Sequence, residues 1–374
     1  MTSEERRNGR YLRRQRSRNS KRKAMNHDET FSYENLYAAY QKCRKGVGWK
    51  ASVQKYVANA PLKIWDTYMK LQRSSFRSDG FCEFDIYERG KIRHIQSVNI
   101  EERVVQKCLC DHALVPALER TFVYDNGASM KNKGYTFAVK RLCTHLEKHY
   151  RKFGAEGYIL LFDFSKFFDR VSHEVVNQIV MKEITDERIQ KITSEFVDAF
   201  GDVGLGLGSQ ISQVLALASA NKLDHYIKEV LRIRGYGRSM DDGYLIHPSK
   251  TYLKHCLQEM KKVCEELGIV LNEKKTRIVK LTHGFTFLKI RFFLLQSGKI
   301  VRKIYKRSVT KMRQKLKKFR KLLDEGRIDA EDVYMSWNSW KAYAENFDAY
   351  HTIQNMKRLY NDLFIRDWRR ENVL

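Results

Sequence analysis

Proline is nearly missing from this sequence, three in 374 residues. There is no Pro/Gly/Ser-rich stretch and no repeat of roughly 20–50 residues, which argues against tethered modules and solenoids. The body reads as continuous. No apolar run approaches the roughly 18 residues of a membrane-spanning helix, and the polar start Met1-Thr2-Ser3-Glu4 leads into no apolar signal core. The expectation is a cytoplasmic protein without a membrane partner. The seven cysteines are odd in number and form no Cys-x-x-Cys pair, so neither a disulfide framework nor a zinc site is indicated.

What the chain has is apolar content and positive charge. Its 43% hydrophobic residues suffice for a sizeable core. The balance of 71 Lys+Arg against 44 Asp+Glu, a net +27, predicts a field that attracts polyanions, with nucleic acid as the leading partner. Arg6 to Lys23 is almost wholly cationic and polar and reads as a disordered basic arm, residues 1–25, serving either phosphate contact or solubility.

Residues 30–80 carry helical spacing, with Tyr33, Leu36, Tyr37 and Tyr40 on one expected buried face. Phe81 to Tyr87 and Lys91 to Ile95 read as two strands around a Glu-Arg-Gly turn, with Lys91 and Arg93 on one side. Two cations there suit a triphosphate, although taken alone they are better accounted for by an exposed strand face. A helix is predicted over 101–120. Gly157 to Phe162, GYILLF, is a buried-strand run that ends at Asp163. Ser172 caps one helix, Asp186 to Phe200 forms another, and Gly204, Gly206 and Gly208 allow a backbone to approach a ligand closely. A helix is expected from Ser212 to about Leu231 and another from Ser249 to Gly268, the latter with Cys256 and Cys264 on its apolar face. Strands follow over 271–295. The helix at 309–323 sets an apolar stripe of Val309, Met312, Leu316, Phe319 and Leu323 against Lys311, Arg313, Lys315, Lys317, Lys318, Arg320 and Lys321, a face able to lie along a duplex backbone.

The chain is organised around Gly235 to His247, GYGRSMDDGYLIH. Apolar and polar residues alternate on both sides of Asp-Asp-Gly, and Asp-Gly is a hairpin signal because such turns need positive φ. Taken alone it is an ordinary solvated turn. With Asp163 at the end of a buried strand, however, three carboxylates would face one point. That arrangement suits two Mg²⁺ ions about 3.5–4 Å apart, or Mn²⁺ in their place, doing nucleotidyl transfer.

Several motifs in order resemble the reverse transcriptase family, over roughly residues 80–325. FDFSKFF at 162–168 resembles the first palm motif, SMDD at 239–242 the YxDD box, and LNEKKT at 271–276 and GFTFLK at 284–289 the motifs that follow. The resemblance implies a right-hand polymerase of the α/β (α+β) class, with fingers at 26–155, palm at 156–303 and a helical thumb at 304–374. It implies Asp163, Asp241 and Asp242 as metal ligands, helped by the Phe164 carbonyl. Lys275 would protonate pyrophosphate. Lys91 and Arg93 would hold the incoming triphosphate, Phe168 would exclude a ribose 2′-hydroxyl, and the 309–323 cations would contact template and primer.

GLGLGSQISQ at 204–213 is similar to the reverse transcriptases of diversity-generating retroelements and related group II intron-like enzymes. Leu207 stands where most relatives have a glutamine against the template–primer pair, followed by Gly208, Ser212 and Gln213. Low fidelity is the expectation. The implied partners are an RNA template, a DNA or RNA primer, dNTPs and a small basic accessory protein. A related role in antiphage defence and a catalytically silent RNA-binding scaffold are the alternatives. Two departures from the family pattern are Ser239, in place of an aromatic residue, and Lys289, in place of a glycine.

Overall fold

A computed structural model describes residues 26–88 and 90–365. The arm expected at 1–25 and the end of the expected thumb, 366–374, lie outside the described residues. The chain divides into two compact units, Met1–Ala138, Phe162–Gly243 and His255–Thr276 in the first, and Val139–Leu161, Tyr244–Lys254 and Arg277–Leu374 in the second.

The first unit opens with helices α1 (His27–Thr30), α2 (Tyr33–Cys43), α3 (Ala51–Ala58) and α4 (Ala60–Gln72). In α2 the buried stripe is Leu36, Ala39 and Tyr40. Tyr37, expected on that face, is exposed. Its ring instead stacks on Tyr33, 6.4 Å away, which also meets Trp65 of α4. Strands β1 (Cys82–Glu88) and β2 (Lys91–Ser97) form an antiparallel hairpin in which Ile86 faces Arg93 and Glu88 faces Lys91.

Helix α5 (Ile100–Leu109) starts on Asn99, whose side chain accepts from the Glu102 N–H. It runs through a π turn at Cys110–Leu114 into α6 (Val115–Glu119). The widened turn ends two residues before Pro116, whose nitrogen has no hydrogen to donate. Cys108, Leu109, Cys110, Ala113, Leu114, Ala117 and Leu118 are fully buried, so this helix is core. Helix α7 (Tyr135–Phe153) passes from the first unit into the second.

Next come β3 (Tyr158–Asp163), α8 (His173–Glu183) capped by Ser172, and α9 (Glu187–Asp198) capped by Asp186. Helix α10 (Gln210–Ser219) begins two residues before Ser212 because the Ser209 hydroxyl caps it. Its small residues are buried, but the single helix expected to Leu231 breaks at Ala220. It continues as α11 (Asn221–His225) and a π turn, Tyr226–Val230.

Strands β4 (Gly235–Ser239) and β5 (Asp242–His247), helix α12 (Lys250–Glu266) and β6 (Arg277–Lys280) complete this part of the chain. The four-stranded sheet has the order β4-β5-β3-β6. Strands β3 and β5 each belong to both units, and the ends that carry Asp163 and Asp242 fall in the first.

In the second unit β6 pairs antiparallel with β3, Tyr158 opposite Lys280 and Leu161 opposite Arg277. A three-stranded antiparallel meander follows, β7 (Phe285–Phe287), β8 (Ile290–Leu294) and β9 (Ile300–Ile304). The β7–β8 turn places Leu288 at φ 47° and Lys289 at φ 64°, so the lysine sits in a backbone region that favours glycine. Helices α13 (Lys306–Asp324), α14 (Ala330–Glu345) and α15 (Tyr350–Phe364) end the described chain. They pack around Met312, Leu316, Trp337 and Met356. Trp337 stacks on Tyr360 at 5.1 Å and on Trp340 at 5.6 Å. Helices combined with antiparallel sheets are the α+β class that the sequence predicts.

Candidate active site

Every part of the carboxylate cluster lies in the first unit. Strand β3 is buried along its length because Ile159 to Phe162 are apolar, and it delivers Asp163, only 4% exposed, at its end. Two residues, Met240 and Asp241, separate β4 from β5, and Asp242 is the first residue of β5. The positive φ of this turn belongs to Met240, at 60°. The Asp-Gly reading is thereby corrected: Gly243 lies within β5, outside the positive-φ region. Its need for glycine is steric, since a Cβ there would fall 2.1 Å from Cζ of Phe162 on β3.

Hydrogen bonds draw these segments together. The Phe164 N–H donates to the Asp241 carbonyl at 3.2 Å, and Asn272 N–H donates to the Asp163 carbonyl at 2.7 Å. Asn272 Nδ2 also reaches Asp163 Oδ1 at 3.2 Å, and Lys275 Nζ bonds Asp163 Oδ2 at 2.5 Å. Asp163 lies near enough to Asp242 to raise its proton affinity.

Electrostatics express the same crowding. Burial, then the charges of Asp241 and Asp163, push the Asp242 carboxyl up to about 7, with Lys275 opposing. Burial also raises Asp241; Asp163 adds to this, while Lys275 and Arg93 pull it back. Lys275 is held above its ordinary value: burial works against its charge, but the bond to Asp163 and the field of all three carboxylates outweigh it.

Among the described residues no group of three or more His, Cys, Asp or Glu is arranged to hold a metal ion. In this arrangement the Lys275 ammonium takes the Asp163 oxygen that a cation would use. The donor chemistry nonetheless fits a hard divalent cation, because added positive charge relieves carboxylates that raise one another's proton affinity.

The remaining sequence-predicted residues of the first unit lie on β2, on the turn at Phe168 and over 204–213. Arg93 on β2 is close enough to influence Asp241. Lys91 begins β2, opposite Glu88. Phe168 opens a short 3-10 turn, its ring 5.8 Å from that of Phe167, and its carbonyl accepts the Leu205 N–H. Leu207 forms a parallel bridge with Ile95 of β2, its carbonyl accepting from Gln96 N–H at 2.9 Å.

The close approach that the glycines allow is to the protein itself. A Cβ at Gly204 would meet the Asp169 backbone, at Gly206 the Gln96 side chain and Phe200 ring, and at Gly208 Ile95. Gln213 is exposed and accepts from the Ser129 hydroxyl at 3.0 Å. In the second unit Lys311, Arg313, Lys315, Lys317, Lys318 and Lys321 are exposed on α13. Arg320 is half-buried, bonded to Asp324 and the Leu363 carbonyl.

Sequence reasoning assigned no role to Asn272, which holds Asp163 through both main chain and side chain. Its signal was its place three residues before Lys275. Arg238 was also missed, and its signal was an arginine alternating with Tyr236 on a buried strand.

No curated protein matches the chain. Among solved structures it is similar to telomerase from Candida albicans in complex with a TWJ fragment of telomeric RNA, at 12% identity and TM-score 0.49, over 70% of this chain and 55% of that one. It is also similar to apo telomerase from Candida tropicalis truncated from the C-terminal domain, at 13% identity and TM-score 0.46, over 64% and 60%. The chain thus spans less than two thirds of either. The profile described as reverse transcriptase (RNA-dependent DNA polymerase) matches residues 83–292, more than half of the chain, which therefore belongs to the reverse transcriptase family.

Proposed function

We propose that the chain is an RNA-directed DNA polymerase, with fingers at 26–155, palm at 156–303 and thumb at 304–374. The observation that carries this reading is the convergence of Asp163, Asp241 and Asp242: the Phe164 N–H next to Asp163 bonds the Asp241 carbonyl at 3.2 Å, and all three carboxylates act on Lys275. Two divalent cations, Mg²⁺ or Mn²⁺, held by these carboxylates and the Phe164 carbonyl, would activate the primer 3′-hydroxyl and neutralise the triphosphate.

The chain's own residues do the rest. Lys91 and Arg93 on β2 hold the triphosphate of the incoming dNTP. Lys275, beside Asp163, would donate its proton to the departing pyrophosphate as the 3′-oxygen bonds to the α-phosphorus. The Phe168 ring leaves no room for a 2′-hydroxyl. Gly208 and Gln213 flank the nascent pair, and the α13 cations follow the template–primer backbone.

Within the family, the reading is the diversity-generating type with low fidelity. It is supported by Leu207, whose side chain offers the nascent pair no hydrogen bond, so that a mispair loses little. Purified protein should extend a primer on RNA with Mg²⁺, and Asp241→Ala should not; equal signals would leave only a binding protein. Leu207→Gln should lower misincorporation several-fold, on the order of 1 kcal/mol of discrimination. An unchanged error rate would remove the low-fidelity reading.

A further inference from the structure

A second buried cluster sits directly behind the carboxylate turn. The side chains of Arg238 and Asp224 are both fully buried and lie 2.6 Å apart. Arg238 Nε donates to Asp224 Oδ1 at 2.7 Å and Nη2 to Asp224 Oδ2 at 2.6 Å, a two-pronged pair. Nη2 also reaches the Leu217 carbonyl at 3.3 Å, and the Tyr236 hydroxyl donates to Asp224 Oδ1. Removing two charges from water is costly, and apolar side chains of similar volume often serve stability as well or better. Stability alone is a weak account of this pair.

The remaining prong leads to the turn. Arg238 Nη1 donates to the Met240 carbonyl at 2.8 Å. That carbonyl belongs to the same peptide plane as the Asp241 nitrogen. Met240 is a non-glycine residue at φ 60°, a conformation in which its Cβ crowds the following carbonyl and which needs support from its surroundings. On the other side of Asp241, its carbonyl accepts from Phe164 N–H. The peptides before and after Asp241 are thus both held, one by a guanidinium that is itself locked.

The arginine's main chain is fixed as well. Its N–H donates to the Asp125 carbonyl at 3.2 Å, and its carbonyl accepts from Gly127 N–H at 2.8 Å. Asp125 is in turn paired with Lys228. Only the planar fork of arginine can grip a carboxylate with one edge and a carbonyl with another, and a lysine ammonium cannot.

We propose that Arg238 is the positioning residue of the turn, clamped by Asp224 so that it sets the Met240–Asp241 peptide and the aim of Asp241 and Asp242. This inference rests on the polymerase reading given above. Small misplacement of a reacting group is expensive, so Arg238→Lys should lower kcat for primer extension by about 10–100-fold. KM for dNTP and the affinity for template–primer should stay unchanged. Mn²⁺ binding, read by calorimetry without substrate, should weaken about tenfold. Tyr236→Phe is the control: it lies in the same cluster and touches Asp224, not the turn, so kcat and Mn²⁺ affinity should stay near wild type whatever the melting temperature does.

If Arg238→Lys and Tyr236→Phe lose activity alike, in step with melting temperature, the positioning role is overturned. If Arg238→Lys does not fold, Asp224→Asn takes its place, keeping the volume and loosening the clamp; a folded Asp224→Asn with wild-type kcat and Mn²⁺ affinity overturns the proposal. A wild-type protein that neither extends primers nor binds Mn²⁺ more tightly than Asp241→Ala would instead defeat the polymerase reading itself.

Discussion

The carboxylate turn of the first unit and the basic face of α13 in the second carry opposite charges, and they use charge in opposite ways. At the turn each group is held by named partners: Asp163 by Asn272 and Lys275, Asp241 by Phe164 through its backbone, Met240 by Arg238. On α13 eight of the nine cations are exposed, and one of them, Lys315, rests over the Phe319 ring at 4.9 Å. Chemistry at a phosphorus atom needs fixed geometry, and attraction to a polyanion needs only density of charge. Substitutions in the two regions should therefore move different observables.

The largest effect belongs to the turn. Asp241→Ala should reduce primer extension on the order of a thousandfold and leave template–primer affinity within twofold. A parallel loss of affinity would show that the two regions are not separable. A smaller effect, of the other kind, is expected from the triple exchange Lys311→Ala, Lys315→Ala, Lys318→Ala. The slope of log affinity against log salt should fall by about 2–3, with affinity down roughly tenfold near 0.1 M salt, and kcat at saturation preserved. A changed kcat would mean that the helix also positions substrate. The smallest effect sharpens the contrast within α13. Arg320 bonds the Leu363 carbonyl at 2.9 Å, so Arg320→Ala should cost about 1 kcal/mol of stability, read as a lower melting temperature. Its salt slope should change less than that of any exposed lysine on the same helix.

This contrast also governs what the sequence discloses. Asp163 is legible because a short apolar run is what a buried strand requires, and a carboxylate directly at its end is costly to bury unless something there makes use of its charge. The α13 face is legible because its stripe and its cations keep helical spacing over several turns. The turn is legible in place but not in conformation. Local preference puts positive φ at the glycine, whereas the fold puts it at Met240, stabilised by an arginine whose own partner is Asp224, fourteen residues away. The glycine loop shows the same limit: spacing reveals that something comes close, and only the fold reveals that it is β2, Asp169 and Phe200. The break at Ala220 escapes notice because its residues are as helical as their neighbours, and the π turn at Cys110–Leu114 because its one cue, Pro116, lies outside it. Buried contacts at long separation are invisible to periodicity.

The absent side chain at Gly243, with the Phe162 ring lying where its first carbon would stand, ties two distant positions in descent. Neither can enlarge alone, because a methyl group at one place needs a vacated volume at the other. Across related chains, any bulkier residue following the acidic pair should be accompanied by a smaller one just ahead of the first aspartate. That is a covariation that counting sequences could check without purifying any protein.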